Sequence, residues 1–142
     1  MRGAERKGDG VRETTVAFET VSPLSFSEAV ERARAALAAE GFGVLTEIDV
    51  QATLKKKLNV DREPYLILGA CHPPSAHRAL TMAPEVGVLL PCNVTVSVEG
   101  GKTVVRAMNP AGAMGVIGKP ELAEVGVEVG AALRRVVAAC QS

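Results

Sequence analysis

The 142 residues carry 16 Lys plus Arg against 16 Asp plus Glu, a formal net charge of zero, and only one Tyr, three Phe and no Trp. A neutral chain has no electrostatic reason to attract DNA, RNA or an anionic membrane surface, and so few aromatics leave no stacking platform for single-stranded nucleic acid. The composition thus argues against nucleic acid and membrane as partners, and the core must come from Val, Leu and Ala.

The opening MRGAERKGDG has no apolar stretch of signal-peptide type, and no apolar run reaches the ~18 residues of a membrane span. Three widely spaced cysteines do not resemble the framework of a small secreted fold. A cytoplasmic protein with reduced thiols is the expectation. A chain of this length forms one domain and buries roughly 68% of its extended surface.

Residues 1–12 read as a flexible leader, because Gly3, Gly8 and Gly10 sit among charges without apolar periodicity. A strand is predicted over Glu13 to Thr20, where Val16 and Phe18 alternate with polar neighbours. Ser25 and Glu28 have the spacing of a capping box, and Phe26, Ala29, Val30, Ala33, Ala36 and Leu37 then recur at helical spacing up to Gly41. A strand from Phe42 to Ile48 follows. Asp49 is placed to cap a helix over Val50 to Leu58, whose Lys55, Lys56 and Lys57 suit the C-terminal end of the helix dipole better than a polyanion site.

Tyr65 to Ala70 is nearly all apolar and predicts a central strand. Ser75 is the expected cap of a helix over Ala76 to Met82, closed by Pro84. The apolar runs Val86 to Leu90 and Asn93 to Val98 predict two strands flanking Pro91. Gly100-Gly101 predicts a tight hairpin joining the second of these to Thr103 through Arg106. Asn109 to Gly118 reads as a Gly-rich loop. The final helix starts with Pro120 and turns Leu122, Val125, Val129, Ala132, Leu133, Val136 and Val137 inward, with Gly126 and Gly130 allowing close backbone contact.

The sum is a single α+β domain over residues 13–142, a mostly antiparallel sheet of five or six strands with two long helices packed on one face. An apolar second face, filled by the alternating valines, would be buried by a second copy, so a homodimer is expected.

Both histidines and two of the three cysteines fall within Tyr65 to Val98. Cys71, Cys92, His72 and His77 are therefore candidate ligands of a soft metal such as zinc or copper. Against this, Cys71 and His72 are strand neighbours and point apart, and no CxxC knuckle is present; buried free Cys is the plainer reading. A reactive Cys71, with His72 or His77 as base and the following helix N-terminus lowering its pKa, is a second possibility. Glu47 and Asp49 share a strand face as an acid/base couple would, but Asp49 is better explained as a cap. Gly112, Gly115 and Gly118 follow a hairpin and make no phosphate fingerprint, although that loop, with Met108 and Met114, could border a pocket.

The segment ILGACHPPSAHRAL followed by GVLLPCNVTV resembles the DUF302 family in Gly69, Cys71, Pro73, Ala76, Ala79, Leu80, Leu89, Leu90, Pro91, Cys92 and Asn93. FSEAVERARAALAAEGFGVLTEIDVQATLKKKL looks like that family's opening helix-strand-helix, so the resemblance covers about Phe18 to Ala138. It implies a dimeric domain of the TT1751-like type and supplies no activity. The family's first motif often carries Asn where His72 stands, which leaves Cys71, Cys92 and Asn93 as the best-matched polar cluster. The expected function is a dimeric module binding a small ligand or soft metal through Cys71, Cys92, Asn93 and His72. The alternatives are an enzyme using Cys71 as a redox or nucleophilic centre, and a structural dimer with inert thiols.

Overall fold

The computed structural model describes residues 8–142. In chain order the elements are β1 (Arg12–Glu13), β2 (Ala17–Ser22), α1 (Phe26–Ala39), β3 (Gly43–Asp49), α2 (Val50–Leu58), β4 (Tyr65–Cys71), α3 (Pro73–Met82), a 3₁₀ segment (Pro84–Leu89), β5 (Cys92–Glu99), β6 (Lys102–Met108), α4 (Pro110–Gly115) and α5 (Pro120–Ala139). The six strands form one sheet in the order β1-β2-β6-β5-β4-β3, antiparallel at every pairing. The α+β architecture is as expected.

Local signals act where the sequence places them. Glu28 N–H donates to Ser25 Oγ at 3.2 Å and Ser25 N–H donates to Glu28 Oε1 at 2.9 Å, closing the capping box of α1. Ala52 N–H donates to Asp49 Oδ1 at 2.9 Å at the start of α2. Gly100 and Gly101 take φ of 60° and 80°, which the β5–β6 turn requires and a side chain would oppose.

Strand alternation then sorts the sheet into two faces. Phe18 and Thr20 of β2, Val105 and Ala107 of β6, Val94 and Val96 of β5, and Leu66, Leu68 and Ala70 of β4 are buried on the face covered by helices. Here α5 lies over β2 and β6 and touches α1, α3 and α4. Gly126 of α5 makes room for α4: a Cβ there would stand 3.1 Å from Ala111 Cα and 3.2 Å from Pro110 O.

Four expectations need correction. The expected leader reached residue 12, of which residues 1–7 lie outside the described residues; Val11 is fully buried and Arg12–Glu13 pairs with β2. Arg134 of α5 holds this segment, bonding Asp9 at 3.0 Å, Glu13 at 3.2 Å and the Val11 carbonyl at 3.3 Å. The apolar run Val86 to Leu90 belongs to a 3₁₀ segment, because Pro84 at its start and the Leu90 N–H bond to Gly87 O wind the chain too tightly for a strand. The Gly-rich loop contains α4, begun by Pro110 and packed on Gly126. Finally, the second face is not apolar. Alternation turns Val94, Val96 and Val105 toward the helices and leaves a mixed face, on which Asn93, Thr95, Ser97, Glu99 and Arg106 stand beside Val21, Val104 and Ile48.

Candidate functional site

The cysteine region is built where β4 ends. Ala70 pairs with Cys92, so Cys71 follows at the strand's last position and His72 begins the turn into α3. His72, not Ser75, caps that helix: its Nδ1 stands 2.8 Å from Ser75 Oγ and accepts from Ser75 N–H at 3.4 Å. The ring rests on Phe42 with centroids 5.3 Å apart. A Cβ on Gly41, at φ +83°, would come 3.2 Å from His72 Cδ2. The imidazole is thus held as a structural plug. Asn is among the best caps, so His72→Asn should leave thermal stability nearly unchanged. His72→Ala should cost about 1 kcal/mol, a melting shift of roughly 3–5 °C read by differential scanning calorimetry.

The four candidate metal ligands are not gathered. Cys71, His72 and Cys92 border one apolar cleft of about 20 Å³, shared with Ser75, Met114 and Val129, which is room for about one water. His77 is exposed on α3, and Asn93 opens onto the opposite face of the sheet from Cys92. Among the described residues no three His, Cys, Asp or Glu side chains are placed to hold one metal ion. The reason is the period of the strand: neighbours Cys92 and Asn93 must point apart. Glu47 and Asp49 are also engaged elsewhere, Glu47 by Arg34 and Asp49 by the cap of α2. Lys55 pairs with Asp61 at 3.0 Å on an exposed surface.

Burial pushes the Cys92 thiol up to about 11, with the neighbouring Cys71 adding to the effect, and burial likewise pushes Cys140 up to about 11. Both are neutral thiols at physiological pH, whereas Cys71 is half-buried. Iodoacetamide at neutral pH should therefore label the folded protein at Cys71, and Cys92 and Cys140 only with unfolding, as peptide mass mapping would report. Because both buried thiols are raised, their contribution to stability is complete below the unfolded thiol pKa near 9 and is lost as pH rises from there toward 11.

The open sheet face holds a second and larger concavity, about 250 Å³, lined by Val16, Tyr65, Asn93, Thr95, Arg106 and Met108 among others. One cross-strand row runs Ile48, Ile67, Thr95, Arg106, Glu19, Arg12 across all six strands. Arg106 Nε donates to Glu19 at 2.7 Å, and its Nη1 and Nη2 donate to the two oxygens of Glu99 at 2.5 and 3.1 Å. Arg12 holds Glu19 at 2.9 Å. Thr95 Oγ1 is buried in the centre of this row with no hydrogen-bond partner.

Arg106, and then Ser97 donating at 2.7 Å, hold the Glu99 carboxyl down at about 2. A carboxylate lowered in the folded state stabilises it above the unfolded pKa near 4.5, and that contribution disappears as pH falls through about 2. Glu99→Gln should accordingly lower urea resistance at pH 7, with the difference from the parent shrinking below pH 4.5 and closing near pH 2. Sequence reading passed over Thr95 and Arg106. A signal was available: counting outward from Gly100-Gly101 sets Arg106 opposite Thr95.

Comparison with known proteins bears on this arrangement. The model of the family described as "Domain of unknown function DUF302" matches residues 18–140. The chain belongs to the DUF302 family. Its fold is similar to the crystal structure of an uncharacterized conserved DUF302 protein from Bacillus stearothermophilus, with a TM-score of 0.83 and 30% identity over 87% of this chain and 97% of that one. No curated protein matches the chain. No helix of the described residues of this DUF302 chain is long and apolar enough to cross a membrane.

Proposed function

We propose that this DUF302 domain is a cytoplasmic, homodimeric binding module whose small-molecule site is the concavity on the open sheet face. The observation that carries the reading is Thr95 Oγ1, buried and without a partner beside a space of about 250 Å³. A buried hydroxyl left unbonded costs about 1–3 kcal/mol, and a ligand that turns the Thr95 side chain into the concavity would recover it. The cleft at Cys71 and Cys92 supports binding less well, since it has room for about one water. Catalysis by Cys71 with His72 as base would have to displace the imidazole from its cap on Ser75.

Two copies meeting face to face about a two-fold axis would cover Val21 and Ile48, which are 47% and 48% exposed on this side. The patch carries no net charge to repel a second copy, because Arg12 and Arg106 balance Glu19 and Glu99 within it. It would also turn the open concavity into an enclosed chamber. Three free cysteines suit a reducing compartment.

The test is a library of small fragments screened by amide chemical-shift mapping, with mass measured by light scattering. Saturable shifts at Tyr65, Asn93, Thr95 and Met108, and a dimer lost in Val21→Glu/Ile48→Glu, are the expected results. Shifts confined to Cys71 and His72 would overturn the site, and a monomer at tens of micromolar would overturn the dimer.

A further inference from the structure

Arg106 in the wall of the concavity looks at first like an anion receptor. The hydrogen bonds argue otherwise. Three of its donors are committed to carboxylates: Nε to Glu19, and Nη1 and Nη2 to the two oxygens of Glu99. A bidentate carboxylate already occupies the geometry in which a guanidinium would hold an acidic ligand. The second oxygen of Glu19 is taken by Arg12, so two arginines and two glutamates close a cluster of zero net charge. An incoming anion would meet Glu19 and Glu99 as well as Arg106, and would have to displace one of them. A cation would find both carboxylates already paired. Neither charge finds an unpaired partner in this cluster, and the further cation nearby, Arg62, is laid over the ring of Tyr65 at 5.0 Å.

The remaining lining has a different character. Thr95 Oγ1 is a buried hydroxyl able both to donate and to accept, and no protein group bonds it. Asn93 brings an exposed amide to the same space, and Val16, Ala17 and Met108 bring apolar surface. A site with one or two convergent polar groups, apolar walls and balanced charge suits a neutral molecule.

Building on the reading that this concavity is a binding site, we propose that its ligand is an uncharged molecule that hydrogen-bonds Thr95 and Asn93 and lays an apolar end on Met108 and Val16. Arg106, locked by Glu19 and Glu99, closes the site as a neutral wall. Thr95 is the specificity-determining group, because a ligand that leaves its hydroxyl unbonded keeps the desolvation cost in place.

Three probes of similar size separate the possibilities: N-propylacetamide, butyrate and butylammonium, each titrated into the ¹⁵N-labelled full chain at constant ionic strength. The amide should shift the Asn93, Thr95 and Met108 signals saturably and bind at least tenfold more tightly than either ion. Thr95→Val, which keeps the side-chain shape, should weaken the amide about fivefold. Butyrate binding at these residues as tightly as the amide would overturn the neutral-ligand assignment while leaving the concavity a binding site. Undiminished amide binding in Thr95→Val would overturn the role of the hydroxyl. If none of the three probes shifts these residues saturably, the concavity is no binding site and the assignment falls with it.

Discussion

Replacing Leu133 with alanine should lower the unfolding free energy by about 3 kcal/mol, and the melting temperature by roughly 10 °C. Leu133 is fully buried on the inner side of α5, the helix that spans β2 and β6 and also touches α1, α3 and α4. Truncation forfeits the transfer energy of the removed methyl groups and leaves a cavity that its neighbours cannot fill. The core here is built from Val, Ala and Leu with few large rings, so no flexible aromatic stands ready to swing into the gap. Chemical denaturation of the parent and Leu133→Ala measures the effect. A loss below about 1 kcal/mol would mean that α5 is seated differently from the arrangement described. The same argument makes α5 the element whose loss dismantles the domain, since it covers the sheet and, through Arg134, ties down the segment around Val11.

Thr95→Val should raise stability, by up to about 2 kcal/mol, while removing the polar anchor of the concavity. The substitution exchanges a buried unbonded hydroxyl for a methyl group of nearly the same shape, on a strand where a β-branched residue is favoured. A core residue altered without functional purpose would give a gain in stability and nothing else. A site residue gives the gain together with the fivefold loss of amide binding. The two readouts, urea midpoint and probe affinity, therefore move in opposite directions if Thr95 is held for a ligand. A fall in stability would instead show that the hydroxyl is bonded in the folded protein, and the site would lose its main support. This opposition is the ordinary relation between stability and function at a site that keeps a polar group unsatisfied.

The helix cap at His72 and the ion-pair row at Arg106 differ in how they read from sequence. His72 looked like chemistry because it adjoins Cys71, yet its neighbours in space are Ser75, Phe42 and Gly41, and they make it a cap. Arg106 and Glu99 looked like ordinary hairpin charges, yet the register aligns Arg106 with Glu19, 87 residues away.

What the sequence by itself determined was a set of features that depend on residues within about four positions. The Ser25–Glu28 capping box, the Asp49 cap with α2 over Val50–Leu58, the turn at Gly100-Gly101 and the Pro120 start of α5 are all of this kind. They rest on short-range hydrogen bonds and dihedral preferences, which a linear string contains in full. Only the tertiary structure decided that Val86–Leu89 winds into a 3₁₀ segment, that α4 nests on Gly126, and that Val11 is core. It also decided that Cys92 and Asn93 serve opposite faces and that Thr95 is left without a partner. Each of these depends on which strand or helix arrives from far along the chain, and that is settled by the summed burial of the whole domain rather than by any local preference.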